Sequence, residues 1–129
     1  MKRRTCLKTM IAGASVAAGV RGETKRPIQL HVDLSVDAAK EQEMLHNFKQ
    51  IFLPAAKKQP GYIDVKMLKL RSVLQGEMPS KVNYRFVLTY ATEEQRKQWV
   101  ETATHKRVWP TVENQLASKD YTVVLFDET

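Results

Sequence analysis

The chain carries three histidines and one cysteine, and their positions narrow its chemistry. His31 stands two residues before Asp33 in a run that alternates apolar and polar residues, so both side chains share one face of a strand. A carboxylate beside an imidazole raises its basicity, which makes His31 or Asp33 a candidate general base. Arg85 and Asn83 are candidates to steady an oxyanion. Tyr90, Trp99 and Trp109 can form an aromatic wall, and His105 is a further catalytic candidate on a helix. His46 falls on the polar side of its helix and reads as a solvated side chain. No two histidines have the i, i+3 or i+4 spacing that gathers ligands on a helix, so no metal site is expected. Cys6, Gly13, Gly19 and Gly22 all lie near the N-terminus. The rest of the chain has no thiol and only Gly61 and Gly76, which excludes a cysteine nucleophile, zinc–thiolate and iron–sulfur sites, a disulfide framework and a phosphate-cradling loop.

The elements that position these residues alternate in type. Ile28, Leu30, Val32 and Leu34 face one side of a first strand, with Gln29, His31 and Asp33 on the other. Asp37 opens an amphipathic helix with Met44, Leu45, Phe48, Ile51, Phe52 and Ala55 on its apolar stripe, bent or ended near Pro54. Pro60-Gly61 is a turn that launches a second strand over 62–70. A hairpin loop over 74–80 leads to a third strand over 82–90. Thr92-Glu93-Glu94-Gln95 fits a capping box at the start of a second helix. Trp109-Pro110 predicts a break there, and the last strand covers 121–126. The order strand, helix, strand, strand, helix, strand predicts an α+β, ferredoxin-like βαββαβ fold with a four-stranded antiparallel sheet and both helices on one face.

The chain of 129 residues has 21 Lys+Arg against 14 Asp+Glu, a formal charge of +7. Five of the basic residues and no acid lie within residues 1–22, so the remainder is close to neutral and gives no reason to expect nucleic acid as a partner. Basic residues, a short apolar run from Ile11 to Val20 and small residues after it have the layout of an export signal. Arg3-Arg4, with Leu7-Lys8 behind, is similar to the twin-arginine consensus, which implies a folded protein delivered to the periplasm or another extracytoplasmic space. The run is too short for a permanent membrane span, so contact with a membrane is expected only during export. The expected division is a signal and linker over 1–26 and one domain over 27–129.

Helices on one face leave the other face of the sheet bare, and such a face needs a partner or a ligand. Gln59-Pro60-Gly61-Tyr62 before the second strand, Tyr90 at the end of the third, and Trp99 and His105 on the following helix together resemble the antibiotic biosynthesis monooxygenase family. The resemblance covers about residues 27–127. In many members tryptophan stands at the place of Tyr90, and a second histidine at that of Trp99. The resemblance implies a homodimeric α/β barrel with two sheets packed face to face, and a pocket in each subunit between sheet and helices or inside the barrel. It implies oxygenation of an aromatic or quinol substrate without metal, flavin or other cofactor. His31, Asp33, Arg85 and His105 then stand in the catalytic role, and Asn83, Tyr90, Trp99 and Trp109 contact a small aromatic or apolar molecule. The alternatives are a non-catalytic dimeric ligand-binding module and a haem-binding or haem-degrading relative. The haem-degrading pattern is not matched, because ten residues past Trp99 stands Trp109 and not a histidine.

Overall fold

The computed structural model describes residues 26–79 and 81–129. The export signal expected over residues 1–26 lies outside them but for Arg26. Four strands, β1 (Ile28–Leu34), β2 (Tyr62–Lys69), β3 (Tyr84–Tyr90) and β4 (Thr122–Asp127), form one antiparallel sheet in the order β2-β3-β1-β4. This is the ferredoxin-like arrangement that the element order predicts.

Alternation in β1 and β3 sets the two faces. Ile28, Val32 and Leu34 of β1 and Tyr84, Phe86, Leu88 and Tyr90 of β3 are buried under the helices. The register places Leu30 opposite Leu88 and Asp33 opposite Arg85, so Gln29, His31, Asp33 and Arg85 all face away from the helices.

The first helical segment begins with a 3₁₀ turn, Ala38–Lys40, capped by the Asp37 carboxylate, which accepts from the Ala39 N–H at 2.9 Å. It continues as α1 (Glu41–Asn47), a π turn (Phe48–Phe52) and α2 (Leu53–Lys57). The segment therefore does not end at Pro54. A proline ring clashes with the carbonyl four residues back in a regular helix, and the wider turn just before it is the geometry that accommodates the ring. That turn also buries both Phe48 and Phe52, stacked with centroids 6.1 Å apart. Glu41 ties α1 to the sheet: it accepts from the Tyr84 hydroxyl, and the Lys69 Nζ lies 2.7 Å from its carboxylate. Burial, then this hydrogen bond, pushes the Tyr84 phenol up to about 12.

The second helical segment is α3 (Glu93–Glu101) and α4 (Ala103–Glu113). The break expected at Trp109-Pro110 falls instead at Thr102, whose extended backbone ends α3. Thr102 Oγ1 donates to the Trp99 carbonyl at 2.7 Å and accepts from the His105 N–H at 3.0 Å, so one hydroxyl serves both helices. Pro110 stays inside α4, where it removes only the bond to the carbonyl of Lys106, an exposed residue. Of the capping box, the Thr92 half forms: its Oγ1 accepts from the Gln95 N–H at 3.1 Å. The Gln95 amide oxygen takes the Thr92 hydroxyl proton instead of reaching back to the backbone.

Candidate functional site

A cavity of about 150 Å³ lies between the sheet and the helices. Leu30, Val32, Phe86 and Leu88 form its floor, and Phe52, Trp99, His105 and Trp109 form its roof. Tyr121, on the connector into β4, and Val123 close one side. Val123 is half exposed, so the cavity opens beside β4.

His105 is placed here by Thr102, which fixes its backbone as the third residue of α4. The neighbours of its ring are aromatic and not hydrogen-bonding. Trp99 meets it edge-on with centroids 5.0 Å apart, Trp109 lies nearly parallel at 6.5 Å, and Phe52 meets it edge-on at 6.4 Å. Burial lowers the His105 pKa, and the nearby Arg96 guanidinium lowers it further. Arg96 is itself fixed by a two-bond pair with Glu93, at 2.7 and 2.8 Å. The cavity thus presents one imidazole, held towards its neutral form, in an oily chamber. Trp99 is 2% exposed, and its indole N–H has no hydrogen-bond partner among the described residues.

The other candidate residues lie elsewhere. His31, Asp33 and Arg85 cluster on the opposite face of the sheet, separated from His105 by the sheet itself. Asp33 does not serve His31: its carboxylate accepts from Arg85 Nε at 2.7 Å and Nη2 at 3.4 Å. His31 pairs with Gln29 instead, Nε2 to Oε1 at 2.9 Å, and Gln29 donates its amide N–H to Glu128 at 2.8 Å. Because Glu128 takes the amide hydrogens of Gln29, the amide oxygen faces the ring, which places the His31 proton on Nε2 and leaves Nδ1 a bare lone pair. Nδ1 is buried without a partner among the described residues. The basicity expected of the His31 and Asp33 pair is reversed. Burial and then Arg85 lower the His31 pKa, and the opposing effect of Asp33 is smaller because Arg85 already holds that carboxylate.

Asn83 is structural, exchanging two hydrogen bonds with the backbone of Val36, at 2.8 and 2.9 Å, which fastens the chain after β1. Tyr90 is fully buried and does not line the cavity, and burial pushes its phenol up to about 12. Trp99, Trp109 and His105 are the candidates that the fold brings together. Sequence reasoning missed Phe52, Thr102 and Tyr121 as parts of the site. Thr102 carries a readable signal, a helix-capping threonine three residues before a histidine. Phe52 shares its apolar stripe with pure core residues and carries none.

No protein-family model and no curated protein sequence matches this chain. Solved structures do. A dimeric ferredoxin-like protein of unknown function from Jannaschia sp. superposes with a TM-score of 0.66 at 15% identity, over 79% of this chain and 99% of its own. A protein from Caulobacter crescentus, provisionally described as an antibiotic biosynthesis monooxygenase, gives 0.64 at 18%, over 81% and 92%. SnoaB, a cofactor-independent oxygenase from Streptomyces nogalater, gives 0.62 at 13%, over 81% and 94%. What they share with this chain is the fold. At these identities chemistry is argued from the site.

Proposed function

We propose that this chain is a monooxygenase-like protein that binds a small aromatic molecule in the chamber between sheet and helices and oxygenates it without metal or flavin. The observation that carries the reading is one imidazole, held towards its neutral form, in a chamber otherwise apolar and aromatic. Such a reaction needs a base to convert a phenol or quinol into an electron-rich anion that can reduce dioxygen, a donor to hold that anion, and exclusion of water. His105 is the base, Trp99 contributes a buried indole N–H without a partner, and the rings of Phe52, Phe86 and Trp109 exclude water. SnoaB, with the same fold, is described as working without a cofactor, which supports the same expectation here. A cavity of about 150 Å³ matches a single benzene ring, which favours a small aromatic molecule over a tetrapyrrole.

The protein works as a homodimer joined through the bare sheet face, and residues 1–26 direct its export. The dimeric description of the Jannaschia relative and the apolar residues exposed on that face, Ile63, Leu68, Val124 and Phe126, support self-association. Replacing Arg3 and Arg4 by lysine and fractionating cells tests the export.

Oxygen consumption with a panel of single-ring phenols and hydroquinones tests the chemistry. Uptake lost in His105→Ala and kept in His31→Ala supports the reading. Binding of the same compounds without oxygen uptake makes the chain a ligand-binding module instead.

A further inference from the structure

Tyr121 is the one ring of the chamber wall that belongs to neither a helix nor a strand. It sits at the end of the connector from α4 to β4, and its hydroxyl is held from two sides. It donates to the Glu113 carboxylate at 2.7 Å and accepts from the Trp109 indole N–H at 3.3 Å. Its ring meets Trp109 edge-on, with centroids 6.2 Å apart at 78°. Glu113 is the last residue of α4, so the clamp joins the helix end to the connector. Tyr121 also lines a second hollow, of about 310 Å³, on its other side. That hollow is mixed where the chamber is oily: Ser35, Lys81, Asp120 and Thr122 border it together with Val82 and Ala117. Tyr121 therefore borders both an apolar compartment the size of a single ring and a larger one of mixed character.

We propose that Tyr121 is the size-selecting residue of the chamber: a partition, clamped between Glu113 and Trp109, that admits one aromatic ring and turns away fused pairs. The proposal rests on the reading that the chamber binds an aromatic molecule. The floor and roof are set largely by core packing, with Val32, Phe52, Phe86, Leu88 and Trp99 buried, and are costly to move. Tyr121 is different, because it stands on a connector, packs at the margin of the core and is oriented by two hydrogen bonds to its hydroxyl and its contact with Trp109. Removing its side chain opens the chamber towards the second hollow, which gives a two-ring phenol room for its second ring and places polar groups near the end that emerges.

The test is calorimetric binding of phenol and 1-naphthol to the full chain and three variants, with melting temperature measured alongside. The wild type is expected to prefer phenol by roughly tenfold or more, the penalty of overfilling a packed site. Tyr121→Ala reverses the preference. Tyr121→Phe, which keeps the ring and loses the clamp, narrows it, and Glu113→Gln, which keeps an acceptor, retains it. A merely structural role lowers the melting temperature and weakens both ligands together, leaving their ratio unchanged. An unchanged ratio in Tyr121→Ala overturns the proposal, and so does a wild type that binds both equally. If Tyr121→Ala does not fold, an unchanged ratio in Tyr121→Phe decides in the same direction. A wild type that binds neither compound overturns the chamber reading itself, an outcome distinct from binding without selection.

Discussion

His105 and His31 are both pushed towards the neutral imidazole, but by surroundings with opposite uses. Around His105 the cause is rings: burial first, with Arg96 adding repulsion. A neutral imidazole with a lone pair to offer is what a base for phenols requires near neutral pH. The same shift has a consequence for stability. The folded pKa lies below the ordinary 6.5, so the unfolded chain binds the proton more readily. The stability contribution is therefore complete above about pH 6.5 and is lost as pH falls below it towards the folded pKa. The midpoint of urea unfolding should fall between pH 7.5 and 5, and more steeply in the wild type than in His105→Gln, whose side chain does not titrate. Equal steepness in both proteins would mean that the ring is not held neutral. Part of this site was legible in the sequence: Trp99 and His105 through the family resemblance, and Trp109 as an aromatic residue on the same helical segment. The separation of His31 and Asp33 from them was legible too, since the alternation that puts Leu30 and Val32 under the helices puts His31 and Asp33 on the far side. What could not be read was that Arg85 takes the Asp33 carboxylate, because cross-strand register depends on pairing that no local pattern encodes.

Two elements hold the roof of the chamber in place, and each depends on one small feature. The first is the junction of α3 and α4. Trp109-Pro110 is the louder signal in the sequence, yet the chain breaks at Thr102, because a capping hydroxyl satisfies two backbone groups there. Proline inside α4 forfeits only one bond. Thr102→Ala should cost about 1 kcal/mol of stability, the usual worth of a cap. It should also weaken phenol binding, since His105 hangs from the same hydroxyl; Thr102→Ser, which keeps the cap, should restore both. The second feature is the turn before β2. Gly61 has φ +87°, and a Cβ there would sit 2.3 Å from Gln95 Oε1 and 2.9 Å from Gln95 Cβ. The Gly61 carbonyl also accepts from the Ala91 N–H at 2.7 Å, so the turn cannot move away from α3 without losing that bond. Gly61→Ala is expected to destabilise by roughly 1–3 kcal/mol, through left-handed strain together with the clash. Gln95→Ala in the same background should recover part of that loss in denaturant titrations. The Pro-Gly turn was evident in the sequence, whereas its closeness to Gln95, thirty-four residues later, is a product of tertiary packing.

At the scale of the whole molecule, the sheet has one covered face and one bare one, and its edge strand β4 is exposed along its entire length. The bare face is not simply oily. Asp33 with Arg85, and Asp64 with Lys66, neutralise one another within it, while Val124 and Phe126 stand exposed beside them. A face whose charges are internally matched can be buried against a second copy without stranding an ion, and a two-fold contact of that kind is self-complementary. His31 lies within it, edge-on to Phe126 with centroids 4.9 Å apart. Arg85 and Asp33 flank the ring, Glu128 reaches it through Gln29, and Lys66 is turned to its own partner Asp64. Covering this face removes more water from a ring already pushed towards neutrality, so association lowers its pKa further. A dimer formed through this face, as proposed above, is therefore favoured where His31 is neutral and weakens as pH falls through the already lowered His31 pKa of the single chain, by up to about tenfold per pH unit for each proton taken up. Sedimentation equilibrium should show a dissociation constant that rises as pH is lowered from 7.5 to 5 in the wild type. It should be nearly flat in His31→Gln, and Phe126→Asp should be monomeric throughout. A dimer insensitive to pH would keep the interface and remove His31 from its control, whereas a wild-type monomer at pH 7.5 would remove the interface as well.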